Sequence, residues 1–90
     1  MIMKVVSNFD KKLGIYAAPI CVANESNEDL IEKYRRMCAS EGLDKKIFDF
    51  DVYVLGTYDD KLGSFDLLAK PEFLVSLGDY RYLQEVGHEG

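Results

Sequence analysis

A single histidine, His88, stands near the carboxyl end of this 90-residue chain, and that scarcity removes most enzyme chemistry. One imidazole so placed supplies neither the histidine pair of a rolling-circle initiator nor an internal base for a serine or cysteine nucleophile. Cys21 and Cys38 have no histidine near them in sequence to complete a zinc set. Each lies in an apolar segment suited to a buried thiol, and one such pair in a domain with a full complement of aromatics points to a reducing compartment rather than a disulfide scaffold. Glycine-rich phosphate loops are missing, Gly14 and Gly63 being isolated turn glycines. Asp49, Asp51, Asp59 and Asp60 do not reproduce the spacing of a calcium loop. Neither catalysis nor a cofactor nor a metal is therefore expected. No apolar run approaches the roughly 20 residues of a membrane-spanning helix. Met1 to Val6 lacks the basic region, long apolar core and cleavage site of a signal peptide, so a soluble cytoplasmic protein with no membrane partner is expected.

Positive charge is also short: 11 Lys and Arg face 16 Asp and Glu, a net charge of −5. The deficit is uneven. Residues 1–47 hold eight bases against seven acids, which is +1, and residues 48–90 hold three against nine, which is −6. An acidic domain has no overall attraction for nucleic acid or anionic lipid, so any such binding must come from a local patch. With 48% apolar and 30% charged residues the chain nevertheless has the composition of a folded protein, and its length allows one core.

What the chain does have is a phrase used twice. Phe9-Asp10-Lys11-Lys12-Leu13-Gly14-Ile15-Tyr16 returns as Tyr58-Asp59-Asp60-Lys61-Leu62-Gly63-Ser64-Phe65. In each copy an Asp can accept backbone N–H groups and a Gly can take the left-handed conformation that rejoins a partner strand. Two β-hairpins are thus predicted. The first joins a strand from Ile2 to Phe9 with one from Ile15 to about Val22, where Pro19 demands an edge or a bulge. The second joins Phe48–Val54, whose alternation turns Phe48, Phe50, Val52 and Val54 inward, with Ser64–Leu68. Gly56 marks a bulge or a close backbone approach.

Between the hairpins, Ser26 is the expected N-cap of a helix, with Asp29 as its capping-box partner and Gly42 as the left-handed C-terminal cap. Leu30, Ile31, Tyr34, Met37 and Cys38 form one apolar stripe, and Asp29–Lys33 and Glu32–Arg36 are spaced to pair. Lys70–Gly78 is expected as a short helical segment, although Phe73, Val75 and Leu77 alternate like a strand. Asp79–Leu83 would then be extended and residues 84–90 a flexible tail. The expected architecture is a single α+β domain, residues 1–83, with the order β-β-α-β-β: an antiparallel four-stranded sheet from two hairpins, one helix packed across it, and a short C-terminal segment.

The stretch Val54-Leu55-Gly56-Thr57-Tyr58-Asp59-Asp60-Lys61-Leu62-Gly63-Ser64-Phe65 resembles the signature of the small nonstructural protein of gokushovirus-type Microviridae, the product of their fifth open reading frame. The similarity extends over about residues 4–80, through Phe9-Asp10-Lys11-Lys12, Tyr16 and Pro19 at one end and Pro71-Glu72-Phe73 at the other. It implies a phage protein of the host bacterial cytoplasm that assists replication or packaging of a single-stranded DNA genome, with single-stranded DNA as its partner.

Such binding needs cations interleaved with exposed aromatics. Lys11, Lys12 and Tyr16 at the first turn, Tyr58 and Lys61 at the second, and Arg35 and Arg36 on the helix would make one patch if the two hairpins lie side by side. The competing reading is a protein–protein adaptor or assembly factor that binds no nucleic acid. In that reading Tyr16, Tyr53, Tyr80 and Tyr82 line an interface, and the chain forms a homo-oligomer or engages replication or procapsid proteins.

Overall fold

The structure, a computed structural model, describes residues 1–86, of which Val86 is placed by its backbone. It is an α+β fold built on a curled antiparallel sheet. The strands are β1 (Ile2–Asp10), β2 (Ile15–Tyr16), β3 (Ile20–Ala23), β4 (Phe50–Asp59) and β5 (Ser64–Ser76). Helix α1 spans Asn27–Cys38, a short α2 spans Tyr82–Val86, and 3-10 turns occupy Lys45–Asp49 and Leu77–Tyr80. The sheet order is β2-β1-β4-β5, with β3 also pairing β1 beyond β2.

Both repeated phrases make the expected reversal. Asp10 Oδ1 accepts from the N–H groups of Lys12 (2.9 Å) and Leu13 (3.1 Å), and Asp59 Oδ1 accepts from those of Lys61 (2.9 Å) and Leu62 (3.3 Å). Gly14 and Gly63, at φ +70° and +63°, donate to the carbonyls of Asp10 (2.7 Å) and Asp59 (2.8 Å). The second half of the first hairpin is not one strand, as the sequence predicts, but two. Ala17 still donates its N–H to the Asn8 carbonyl (2.8 Å), but Ala18 and Pro19 leave the ladder, which gives five strands rather than four and the order β-β-β-α-β-β. Pro19 has no N–H to donate, so the chain steps out before it and pairs again from Ile20.

The two hairpins join through their first strands. β1 runs antiparallel to β4 from Ile2 opposite Asp59 to Asp10 opposite Phe50. Helix α1 covers one face of this pair, where Val6, Val52 and Val54 meet Leu30 and Cys38, and Phe48, Leu74, Val75 and Leu77 close the core. Full burial of side chains such as Leu77 or Phe48 contributes roughly 1.5–3 kcal/mol each. Ser26 caps α1 as expected, its Oγ accepting from the Asp29 N–H at 3.1 Å, but no return bond from the Asp29 side chain completes the box.

Several local expectations are corrected. Phe48 is buried as anticipated but lies in a 3-10 turn, because Asp44 caps that turn by accepting from the Lys46 N–H, and the strand starts at Phe50. The helix ends at Cys38 with Ala39 as its C-cap rather than at Gly42. The Ala39 and Ser40 N–H groups tighten its last turn, and Gln84 Nε2 donates to the carbonyls of Cys38 (2.7 Å) and Ser40 (2.8 Å). Gly42, at φ +71°, turns the connection instead. Lys33 pairs with Glu25 rather than Asp29, and Glu32 is held mainly by Arg35. Cys21 is exposed on β3, whereas Cys38 is buried.

The largest correction is at Lys70–Gly78. Through Ser76 it continues β5 as a strand, because Val75 pairs with Val52 and Phe73 with Tyr53 across the central strand, rewarding the two-residue alternation over the Pro-Glu helix-start signal. Pro71 is accommodated in a bulge: Val54 faces Glu72 and Gly56 faces Leu67, so Leu68–Pro71 have no register partner in β4. Asp79–Leu83 is likewise not extended but a 3-10 turn leading into α2, with Arg81 stacked 5.2 Å from the Phe48 ring centre. Of the expected tail, residues 84–86 belong to α2, and residues 87–90 lie outside the described residues.

Gly56 permits the bulge. Its φ is +154°, and a Cβ there would stand 2.2 Å from the Asp66 carbonyl oxygen and 2.8 Å from the Leu67 Cα, both backbone atoms. Gly56→Ala is expected to lower unfolding free energy in urea by about 2–4 kcal/mol, since neither strand can yield without breaking the ladder. Gly63→Ala, with open space around its Cβ position, should cost only about 1–2 kcal/mol from its left-handed backbone.

Candidate nucleic-acid interface

Opposed residues of antiparallel strands share a face. The registers therefore place Met3, Val5, Ser7 and Phe9 of β1 with Tyr16, Tyr53, Tyr58, Phe65 and Phe73 on the face away from α1. Four aromatics make a row across it. Tyr16 packs on Phe9 with ring centres 4.8 Å apart and on Tyr53 at 5.4 Å, and Tyr53 meets Phe73 edge-on at 5.7 Å. Tyr16 and Phe73, at the two ends, are exposed, while Phe9 and Tyr53 are half-buried. Further along the same face Tyr58 packs on Phe65 at 4.7 Å. Among the described residues no helix lies over this row.

Each aromatic pair closes one copy of the repeated turn, which explains why the phrase keeps an aromatic at both ends. Ser7 is buried beneath the row, and its Oγ donates to the Ala17 carbonyl at 2.7 Å, binding the segment that bypasses Pro19 to the sheet.

The cations expected beside these rings are dispersed. Because β1 and β4 are antiparallel, the first turn lies at one end of the sheet and the second at the other. Nine residues of strand at about 3.4 Å each put them roughly 30 Å apart, in a molecule 49 Å long. Lys61 is thus far from Lys11 and Lys12, and the single patch expected from adjacent hairpins does not form. Arg35 and Arg36 sit on α1, on the opposite side of the sheet from Tyr16. Arg35 donates through Nε to Glu32 at 2.8 Å, and this bond holds Glu32 below the usual carboxylate range while raising the Arg35 guanidinium. Arg36 is 3.9 Å from the same carboxylate.

At the first turn, beside Tyr16, both Lys11 and Lys12 are engaged. Lys12 Nζ is 3.2 Å from Asp49, and Lys11 Nζ is 3.3 Å from Asp51 and 3.4 Å from Ser76 Oγ. Asp51 Oδ1 is buried with no aligned hydrogen bond, so the Lys11 charge alone compensates it. The two acids that the alternation places on a wet strand face therefore neutralise the turn lysines. Phe9 and Phe73 complete the row without having been singled out as binding residues, and Tyr53, which also belongs to it, was expected only at a protein interface. Tyr53 was legible as outward-facing, whereas Phe73 becomes visible only once its segment is read as a strand.

A family model described as Phage ORF5 protein matches residues 3–80. No curated protein and no solved structure matches the chain.

The thiols give a direct check on the two faces. Burial pushes the Cys38 thiol up from its ordinary value, which keeps it protonated and inert, whereas Cys21 is open to solvent. A thiol reagent at pH 8 should label Cys21 within minutes and Cys38 only after denaturation. Equal rates at both positions in the native protein would contradict the packing of α1 on the sheet.

Proposed function

This chain belongs to the phage ORF5 protein family, and we propose that it is a nonstructural phage protein assisting replication or packaging of a single-stranded DNA genome of the Microviridae type in the host cytoplasm. One observation carries the DNA-binding part of this reading: the uncovered row Tyr16, Phe9, Tyr53 and Phe73 on an antiparallel sheet. Aromatic rings displayed on a sheet stack unpaired bases without regard to sequence. In this proposal the rings supply the affinity, and Lys61, Arg35 and Arg36 take no part. The protein binds and does no chemistry on the DNA.

The lysine pairing favours a second reading, an adaptor for replication or procapsid proteins that binds no nucleic acid. With Lys11 and Lys12 already matched by Asp51 and Asp49, little free positive charge remains near the rings.

Fluorescence anisotropy with a labelled single-stranded oligonucleotide separates the two. The DNA reading expects saturable binding whose affinity falls only shallowly with salt, because few phosphates are neutralised. Tyr16→Ala and Phe73→Ala should each weaken it about tenfold, base–aromatic stacking being worth about 1–3 kcal/mol. Arg35→Glu with Arg36→Glu should leave it within about twofold. No binding at low salt, or binding insensitive to both aromatic changes, rejects the DNA reading and leaves the adaptor.

A further inference from the structure

Beyond α1 the second hairpin continues as an arm. Every residue from Asp60 to Phe73 is exposed, and within it Leu62, Phe65, Leu67 and Leu68 are 76%, 58%, 62% and 44% exposed. β5 pairs with β4 on one side only, so its other edge is open along its length. Soluble proteins blunt such edges with charge, proline, a bulge or a covering element; among the described residues no element covers this edge, and its charges Asp66 and Lys70 are of opposite sign, so a second copy can match them. On its inner side, Leu68, Ala69, Lys70 and Pro71 have no residue in register with them on β4.

The sequence of this edge is complementary to itself. In an antiparallel pairing of two copies about Leu68, Leu67 faces Ala69 of the second copy, and Asp66 faces its Lys70. The two-fold axis repeats the Asp–Lys pair on the other side. Opposite charges directly across a strand pair are favourable and like charges unfavourable. Pro71, with no N–H, ends the pairing just past Lys70.

We infer that β5 is a homodimer interface, its occupant a second copy of this chain paired antiparallel over Asp66–Lys70. Main-chain hydrogen bonds supply the affinity, and the crossed Asp66 and Lys70 pairs fix the register, as in strand addition generally. The inference stands apart from DNA binding, because neither Tyr16 nor Phe73 belongs to the paired stretch.

The test is a charge swap followed by sedimentation velocity at tens of micromolar. The unaltered protein should sediment at twice the 10.3 kDa chain mass. Asp66→Lys alone opposes two lysines and Lys70→Asp alone opposes two aspartates, so each should weaken self-association at least tenfold. An equimolar mixture of the two variants restores both pairs and should return the dimer. A monomer for the unaltered protein, single variants that dimerise normally, or a mixture that stays monomeric would each overturn the inference. Both residues are exposed, so folding should be intact. As an independent reading on the unaltered chain, the Ala69 amide should exchange slowly at high concentration and fast on dilution. Exchange that ignores concentration would also overturn it.

Discussion

The antiparallel union of β1 with β4 is the constraint from which the other features follow. It makes β1 and β4 the inner strands, so Val6, Val52 and Val54 are buried together under α1 and a single helix suffices to cover the core. It also sends the two turns to opposite ends of the molecule and leaves β5 as an outer strand longer than anything beside it. Had the hairpins met in parallel, the turn lysines would share an end; the observed pairing makes that impossible.

Local sequence pattern could not display that union. The turns were readable residue by residue, because an Asp, an apolar residue and a Gly at fixed spacing satisfy a local set of N–H groups whatever surrounds them. Helix α1 was readable from Ser26 and its apolar stripe for the same reason. Strand direction and neighbour are set by contacts between residues about 50 apart, on which local pattern is silent. Lys70–Ser76 shows the cost. Pro71 and Glu72 resemble a helix start, and only burial of Leu74 and Val75 against β4 tips the segment to a strand. Half of the candidate interface was legible on the same terms: Tyr16 closes a readable turn and the outward Tyr53 follows from alternation, while the pairing of Lys11 and Lys12 with Asp51 and Asp49 depends on how β4 enters the sheet.

The two faces of the sheet obey different rules. Under α1, aliphatic side chains interlock and a buried thiol stays protonated. On the other face the rings pack edge to tilted edge with their outer members open, an arrangement that contributes packing energy and still leaves aromatic surface for a base or for a partner's side chains. The acidic balance of residues 48–90 gives neither face an overall attraction for a polyanion.

The duplicated reversal is also a self-contained unit. Its two copies are followed by strands of two and thirteen residues, one broken off before a proline and the other running through a bulge. What recurs here is confined to the eight residues that solve one local hydrogen-bonding problem. The corollary is interchangeability: either loop could stand in the other's place and the ladder around it would keep its register.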